Sequence, residues 1–112
     1  INLNCANNNI KQLDNLPPNL IKLSCLDNNI TRLDNLPYSL KILNCNCNYI
    51  TELDNLPPNL EELQCYWNEI KHLNNLPSTL KDLYCWNNSL VYDFKPTLEN
   101  IRKYNSSRTM TS

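Results

Sequence analysis

Apolar and polar positions recur along this chain with a period of twenty residues. Leu3, Leu23, Leu43, Leu63 and Leu83 hold one phase, and Cys5, Cys25, Cys45, Cys65 and Cys85 hold a second, two residues further on. Asn8, Asn28, Asn48, Asn68 and Asn88 hold a third, while Pro17, Pro37, Pro57 and Pro77 close four of the turns. Self-similarity at this period predicts a solenoid, in which each coil buries its apolar face against its neighbours. Within one coil, residues 22–26 alternate, with Leu23 and Cys25 on one face and Lys22, Ser24 and Leu26 on the other. That alternation predicts a half-buried strand. Its recurrence in every coil predicts short parallel strands along one side of the molecule. Asn28 and its equivalents are expected to turn inward, where a carboxamide satisfies free backbone groups of the adjoining loop. Ile30, Leu33 and Leu36 then return apolar side chains to the core, and Asp34-Asn35 supplies a turn before Pro37 fixes an extended conformation.

The beat fails after Leu90. Val91, Tyr92, Asp93 and Phe94 replace the polar return segment, and Leu98, Ile101 and Tyr104 fall on one helical face behind Thr97, an expected N-cap. A terminal coil has to cover the last core face with something polar outside. The organisation predicted is therefore a repeat array over 1–96, about five coils with the first truncated, a capping helix over 97–105 and a frayed tail over 106–112.

The pattern LxxLxCxxNxI, carried here by Leu20, Leu23, Cys25, Asn28 and Ile30, resembles the leucine-rich repeat signature. The second half of each coil, xxLxNLPxx, is similar to the short twenty-residue class of that family. Two sets of proteins look alike in this respect: the repeat domains of bacterial type III effectors, and the Asn-rich leucine-rich repeat proteins of giant DNA viruses of the mimivirus type. The phrases LDNLPPNL and TLENIRKYN resemble the viral set more. The resemblance covers about residues 1–90. It implies a solenoid with strands on the concave side and an extended, polyproline-like or 3-10 convex side. It also implies a non-enzymatic module that binds a protein or peptide, in a host cytoplasm or a virion if the viral likeness holds. Two other roles remain open: the recognition arm of a ubiquitin-ligase-type effector whose catalysis lies on another domain, and a structural component of a particle. The scaffold serves many partners, so it implies no particular one.

Composition adjusts this picture at three points. Glycine is absent, so positions needing positive φ are expected to fall to Asn or Asp. Five of the six cysteines sit at a core phase where a free thiol acts as a small hydrophobe, which predicts reduced thiols and a cytosolic compartment. Neighbouring thiols in such a ladder point the same way, so a bridge between them would be strained. The net charge of -1 offers no clustered basic surface and speaks against nucleic acid or an anionic membrane as partner. No apolar run approaches the roughly 20 residues of a membrane-spanning helix. The chain starts at Ile1, partway through a coil, which suggests a piece of a longer protein.

Candidate chemistry is sparse. His72 shares its phase with Gln12, Arg32 and Glu52, the solvated convex side. Cys45 and Cys47 have the spacing of half a thiolate site, but no second pair follows at ligand spacing. Asp14, Asp34 and Asp54, with Asn74 completing the row, are accounted for by turn chemistry better than by calcium. No catalytic residue, metal site or cofactor is expected.

The concave side is richer. Outward strand positions include Leu26, Glu62, Asp82, Tyr84 and Trp86, with Tyr66 at the phase of Trp86, and Trp67 follows directly. Tyr66, Trp67, Tyr84 and Trp86 thus fall on two adjacent coils, with Glu61, Glu62 and Asp82 at the rim and Lys41 and Lys81 nearby. Tyr and Trp are enriched at binding hot spots. Two readings stand side by side: a recognition surface for a protein or peptide with an apolar anchor and a basic residue, or rings that merely cover the seam between strands, with Trp67 tucked under the turn.

Overall fold

The computed structural model describes residues 1–111. Five strands, β1 (Asn2–Asn4), β2 (Lys22–Ser24), β3 (Ile42–Asn44), β4 (Glu62–Gln64) and β5 (Asp82–Tyr84), form one parallel sheet in sequence order. The register keeps the sequence period, for Leu3 pairs with Leu23, Leu23 with Leu43, Leu43 with Leu63 and Leu63 with Leu83. Each strand is only three residues long, shorter than the 22–26 alternation suggests. The ladder nonetheless runs on past it, because the Cys25 and Asp27 amides donate to the Asn44 and Asn46 carbonyls at 2.9 Å. Leu23, Cys25, Ile30, Leu33, Leu36 and Leu40 are all buried, as are their counterparts in the third coil except the half-buried Leu56, and together they make one continuous core.

What carries the chain round each corner is the asparagine. The Asn48 carboxamide donates to the carbonyls of Cys45 in its own coil and Cys25 in the preceding one, both at 3.1 Å. Its Oδ1 accepts the Ile30 amide at 3.0 Å. Asn28, Asn68 and Asn88 repeat the arrangement, reaching Cys5, Cys45 and Cys65 respectively. One buried side chain thus serves backbone groups of two coils, which leaves the corner fully satisfied although it belongs to neither helix nor sheet.

The other corner starts with a tight turn, in which the Leu20, Leu40, Leu60 and Leu80 amides donate to Pro17, Pro37, Pro57 and Pro77 carbonyls. Hydroxyls stitch these turns together. Ser39 Oγ donates to the Pro18 and Leu20 carbonyls, and Thr79 Oγ1 to those of Pro58 and Leu60. Beyond the last coil Arg102 takes over that role, with Nη2 donating to the Pro77 and Leu80 carbonyls at 2.9 Å. Arg102 lies on α1 (Leu98–Thr111), which Thr97 caps by accepting the Asn100 amide on Oγ1 at 3.1 Å. Ile101 is fully buried under this helix. Tyr92, Phe94 and Tyr104 pack ring on ring beside it, and the Tyr92 hydroxyl accepts the Leu73 amide at 2.8 Å. The helix exceeds the expected 97–105. Residues 106–111 are helical rather than frayed, and Ser112 lies outside the described residues.

The left-handed positions also depart from expectation. Asn15, Asn35 and Asn75 hold φ near 55° in the turn before the proline, as residue type suggests. At the strand exit, however, the positive-φ ladder runs Asn7, Asp27, Cys47, Trp67, Asn87. Cys47 and Trp67 therefore sit where a Cβ is disfavoured, at a cost of about 1–2 kcal/mol each. The corner geometry is imposed by the neighbouring coils on both sides and overrides the local preference.

Burial shapes the cysteine ladder's chemistry. All the cysteines are free thiols, and Cys25, Cys45, Cys65 and Cys85 are buried. Loss of water pushes Cys25 up to about 12 and Cys85 up to about 11, with Cys45 and Cys65 also well above the ordinary thiol range.

Two outcomes test this architecture. Asn48→Ala leaves the buried Ile30 amide without an acceptor and takes one of two carboxamide donors from each of the Cys25 and Cys45 carbonyls, so urea unfolding should show a loss of about 2 kcal/mol or more. Asn8→Ala, whose carboxamide bonds only within its own exposed coil, should cost under about 1 kcal/mol. Equal losses would refute the ladder. The second outcome concerns alkali. A buried thiol keeps its proton to higher pH in the folded state, so its contribution to stability is complete below the ordinary value of 9.0 and is lost as pH rises toward about 11 to 12. Stability should therefore fall between pH 9.0 and about 11 to 12 by about 1.4 kcal/mol per pH unit for each thiol ionised only in the unfolded chain. Cys45→Ala should shallow the slope by one proton, and an unchanged slope would show that the thiol is not shielded.

Candidate functional site

On the concave side the parallel register places residues of one phase directly over one another, and this builds a column of rings. Tyr66 and Trp86 stack with centroids 4.6 Å apart and planes within 5°. Tyr84 meets Trp86 edge-on at 5.8 Å and 88°. Such contacts contribute about 0.5–1.5 kcal/mol beyond burial, yet they leave much of the rings in water: Trp86 is 50% and Tyr84 38% exposed. A fixed aromatic surface results, held in shape by ring contacts rather than by a partner.

Behind the column lies a polar lattice. Asn46, at the same phase as Tyr66 and Trp86, is only 2% exposed, although its strand position points outward. Its Oδ1 accepts the Tyr66 amide at 2.9 Å, its Nδ2 donates to Gln64 Oε1 at 3.1 Å, and Gln64 Nε2 donates to Glu62 Oε2 at 2.9 Å. The strand alternation alone places Asn46 on the outward side and does not disclose this role. Glu62 is half-buried and tied to Gln64, which leaves Asp82 as the exposed strand carboxylate. Lys81 and Glu61 approach to 4.0 Å at the surface, a contribution of about 1 kcal/mol at most.

The four rings anticipated as one cluster divide in two. Tyr66, Tyr84 and Trp86 come together. Trp67 makes no ring contact among the described residues; it stands 58% exposed at the strand exit, in a shallow depression of about 380 Å³ shared with Asp27, Cys47 and Tyr49. It is not tucked under the turn. Its left-handed backbone aims it away from the column, an effect that no residue-type preference at this position discloses. Leu26 is half-buried two coils from Tyr66, separated from it by Asn46, and does not join the rings. Tyr49, at the edge of the Trp67 depression, had no sequence signal beyond its phase.

Elsewhere polar chemistry is dispersed. His72 is exposed and meets Tyr92 edge-on at 6.3 Å. Asp34 pairs with Arg32 at 3.3 Å and Asp14 accepts from Gln12 at 3.1 Å. Among the described residues no group of three or more His, Cys, Asp or Glu side chains could hold a metal ion. No helix among them is long and apolar enough to cross a membrane.

No protein-family model matches the sequence, and no curated protein matches it. Among solved structures the chain is similar to YopM from Yersinia enterocolitica, a bacterial type III effector with leucine-rich repeats. The TM-score is 0.66 and the identity 31%, over 88% of this chain, which spans 27% of that one. The in-register parallel strands, the twenty-residue coils, the inward asparagine of each corner and this likeness make the chain a leucine-rich repeat solenoid of the short class.

Proposed function

We propose that this solenoid captures a protein or peptide partner on its concave face, with the column of Tyr66, Tyr84 and Trp86 as the anchor site. A leucine-rich repeat solenoid like YopM serves in general as a protein-interaction module; the particular face and residues are our reading. The observation that carries it is the stacked Tyr66 and Trp86 pair with half of Trp86 in water. Rigid aromatic side chains gain contact area on binding at little entropic cost. Trp67 supports the same reading from another direction, since an exposed tryptophan in a left-handed conformation lowers stability without filling the core. The buried thiol ladder fits a reducing compartment, and we place the module there.

Purification from the native source on immobilised wild-type chain, set against the Tyr66→Ala, Trp86→Ala double variant, tests the reading. The variant should lose the specific partner while its circular dichroism and melting point change little, because the two rings contribute only about 1 kcal/mol to each other. A variant that fails to fold would show that the rings serve the seam between strands. Trp67→Asn provides an independent measurement. Relief of backbone strain should raise stability by about 1 kcal/mol and weaken partner capture; a destabilised variant would mean that the indole is part of the packing.

A further inference from the structure

β5 is the last strand of the sheet, and its outer edge leaves ladder groups unused. In the inner coils the Cys45 and Cys47 amides donate to the next coil's Gln64 and Tyr66 carbonyls at 2.8 and 3.0 Å. The Glu61 and Glu62 amides of that coil donate back to the Lys41 carbonyl at 2.8 and 3.1 Å. By the period, the Cys85 and Asn87 amides and the Lys81 carbonyl are the matching groups of β5, and no next strand among the described residues meets them. Lys81 and Cys85 line a groove of about 440 Å³ between β5 and residues 95–98, floored where Cys85 Sγ meets the Pro96 carbonyl at 3.4 Å, and Asn87 follows one residue past its Trp86 wall. The ring column ends at this edge. Trp86 is covered by Tyr66 on its inner face, and no further ring stacks on its outer one among the described residues. Lys81 and Lys95 flank the groove, with Asp82 one position along.

We propose that this edge takes an extended segment of another protein, which adds as a sixth parallel strand. That segment carries acidic residues at its start, beside Lys81 and Lys95, and an aromatic ring five positions on that stacks against Trp86. The inference rests on the concave-face reading for its ring contact, but adds main-chain pairing that an occupant lying across the face would not make. The required pattern is one the chain itself displays. In residues 61–67, EELQCYW, two glutamates precede the Tyr66 ring by the same interval, and this segment already pairs in parallel with its neighbours.

That segment supplies the probe. An acetylated peptide of residues 61–67 carrying Cys65→Ser is titrated into the full chain, and amide hydrogen exchange is followed by NMR. Binding should slow exchange of the Cys85 and Asn87 amides by about tenfold or more. N-methylation of the peptide at its Glu61 and Glu62 positions, which removes the donors to the Lys81 carbonyl, should weaken binding by about tenfold. Saturable binding that leaves the Cys85 and Asn87 amides unprotected overturns the edge proposal while the concave-face reading stands. No binding at millimolar peptide overturns it too. Protection of the same amides in the peptide-free chain, rising with protein concentration alongside a dimer in sedimentation, would assign the edge to a second copy and also overturn the proposal. Loss of partner capture by the Tyr66→Ala, Trp86→Ala variant remains a separate measurement, so the two readings fail independently.

Discussion

A single asparagine carboxamide in each coil is the interaction on which the rest of this solenoid depends. Strands of three residues provide too few ladder bonds to hold a sheet by themselves, and the chain must leave each of them through a sharp corner. A corner inside a protein normally strands amides and carbonyls, each costing about 1–3 kcal/mol when left unpaired. Asn28, Asn48, Asn68 and Asn88 remove that cost by accepting a backbone amide on Oδ1 and donating Nδ2 to carbonyls of two successive coils. Because each carboxamide reaches back to the coil before it, the bonds couple neighbours and not just residues of one turn. The array therefore behaves as a row of units that hold together only in company.

The two ends of such a row pose different problems. At the C-terminal side the core face is closed by Ile101 and the Tyr92, Phe94 and Tyr104 rings, and Arg102 donates where a hydroxyl of a further coil would have donated. The cap thus reproduces the hydrogen bonds of a coil without its strand. That substitution covers the core but not the sheet edge, and the edge left beside residues 95–98 is where the ring column emerges. The concave surface and the unpaired backbone meet at Trp86, so one residue borders both features. The charged residues contribute far less to this design, since the ion pairs among the described residues are exposed.

How far the sequence could be read depended on whether a property belonged to one phase of the repeat. Inward leucines, thiols and asparagines recur in every coil, so their positions followed from counting. The ring column followed in part, because in-register stacking brings Tyr66 over Trp86 whatever else the chain does. Asn46 and Trp67 were misplaced for opposite reasons. Asn46 occupies an outward position yet is buried, as neighbouring Gln64 and the Tyr66 amide draw its carboxamide in. Trp67 follows an outward strand position yet leaves the column, since its backbone is left-handed there. The helix runs past its expected end at 105, where a chain terminus would ordinarily fray, and Asn105 ties it to the preceding coil by donating to the Leu73 carbonyl at 2.9 Å.

The sequence by itself determined the solenoid, the direction each repeated side chain faces and the point where the repeat stops, because a period of twenty is a one-dimensional property that stacking merely extends. Only the tertiary structure decided which rings touch, which outward residues are buried, where a non-Asn residue must adopt positive φ and which ladder groups remain unpaired. Those features arise between coils. They depend on contacts between residues about twenty positions apart, whose side chains differ from coil to coil while the backbone they share does not.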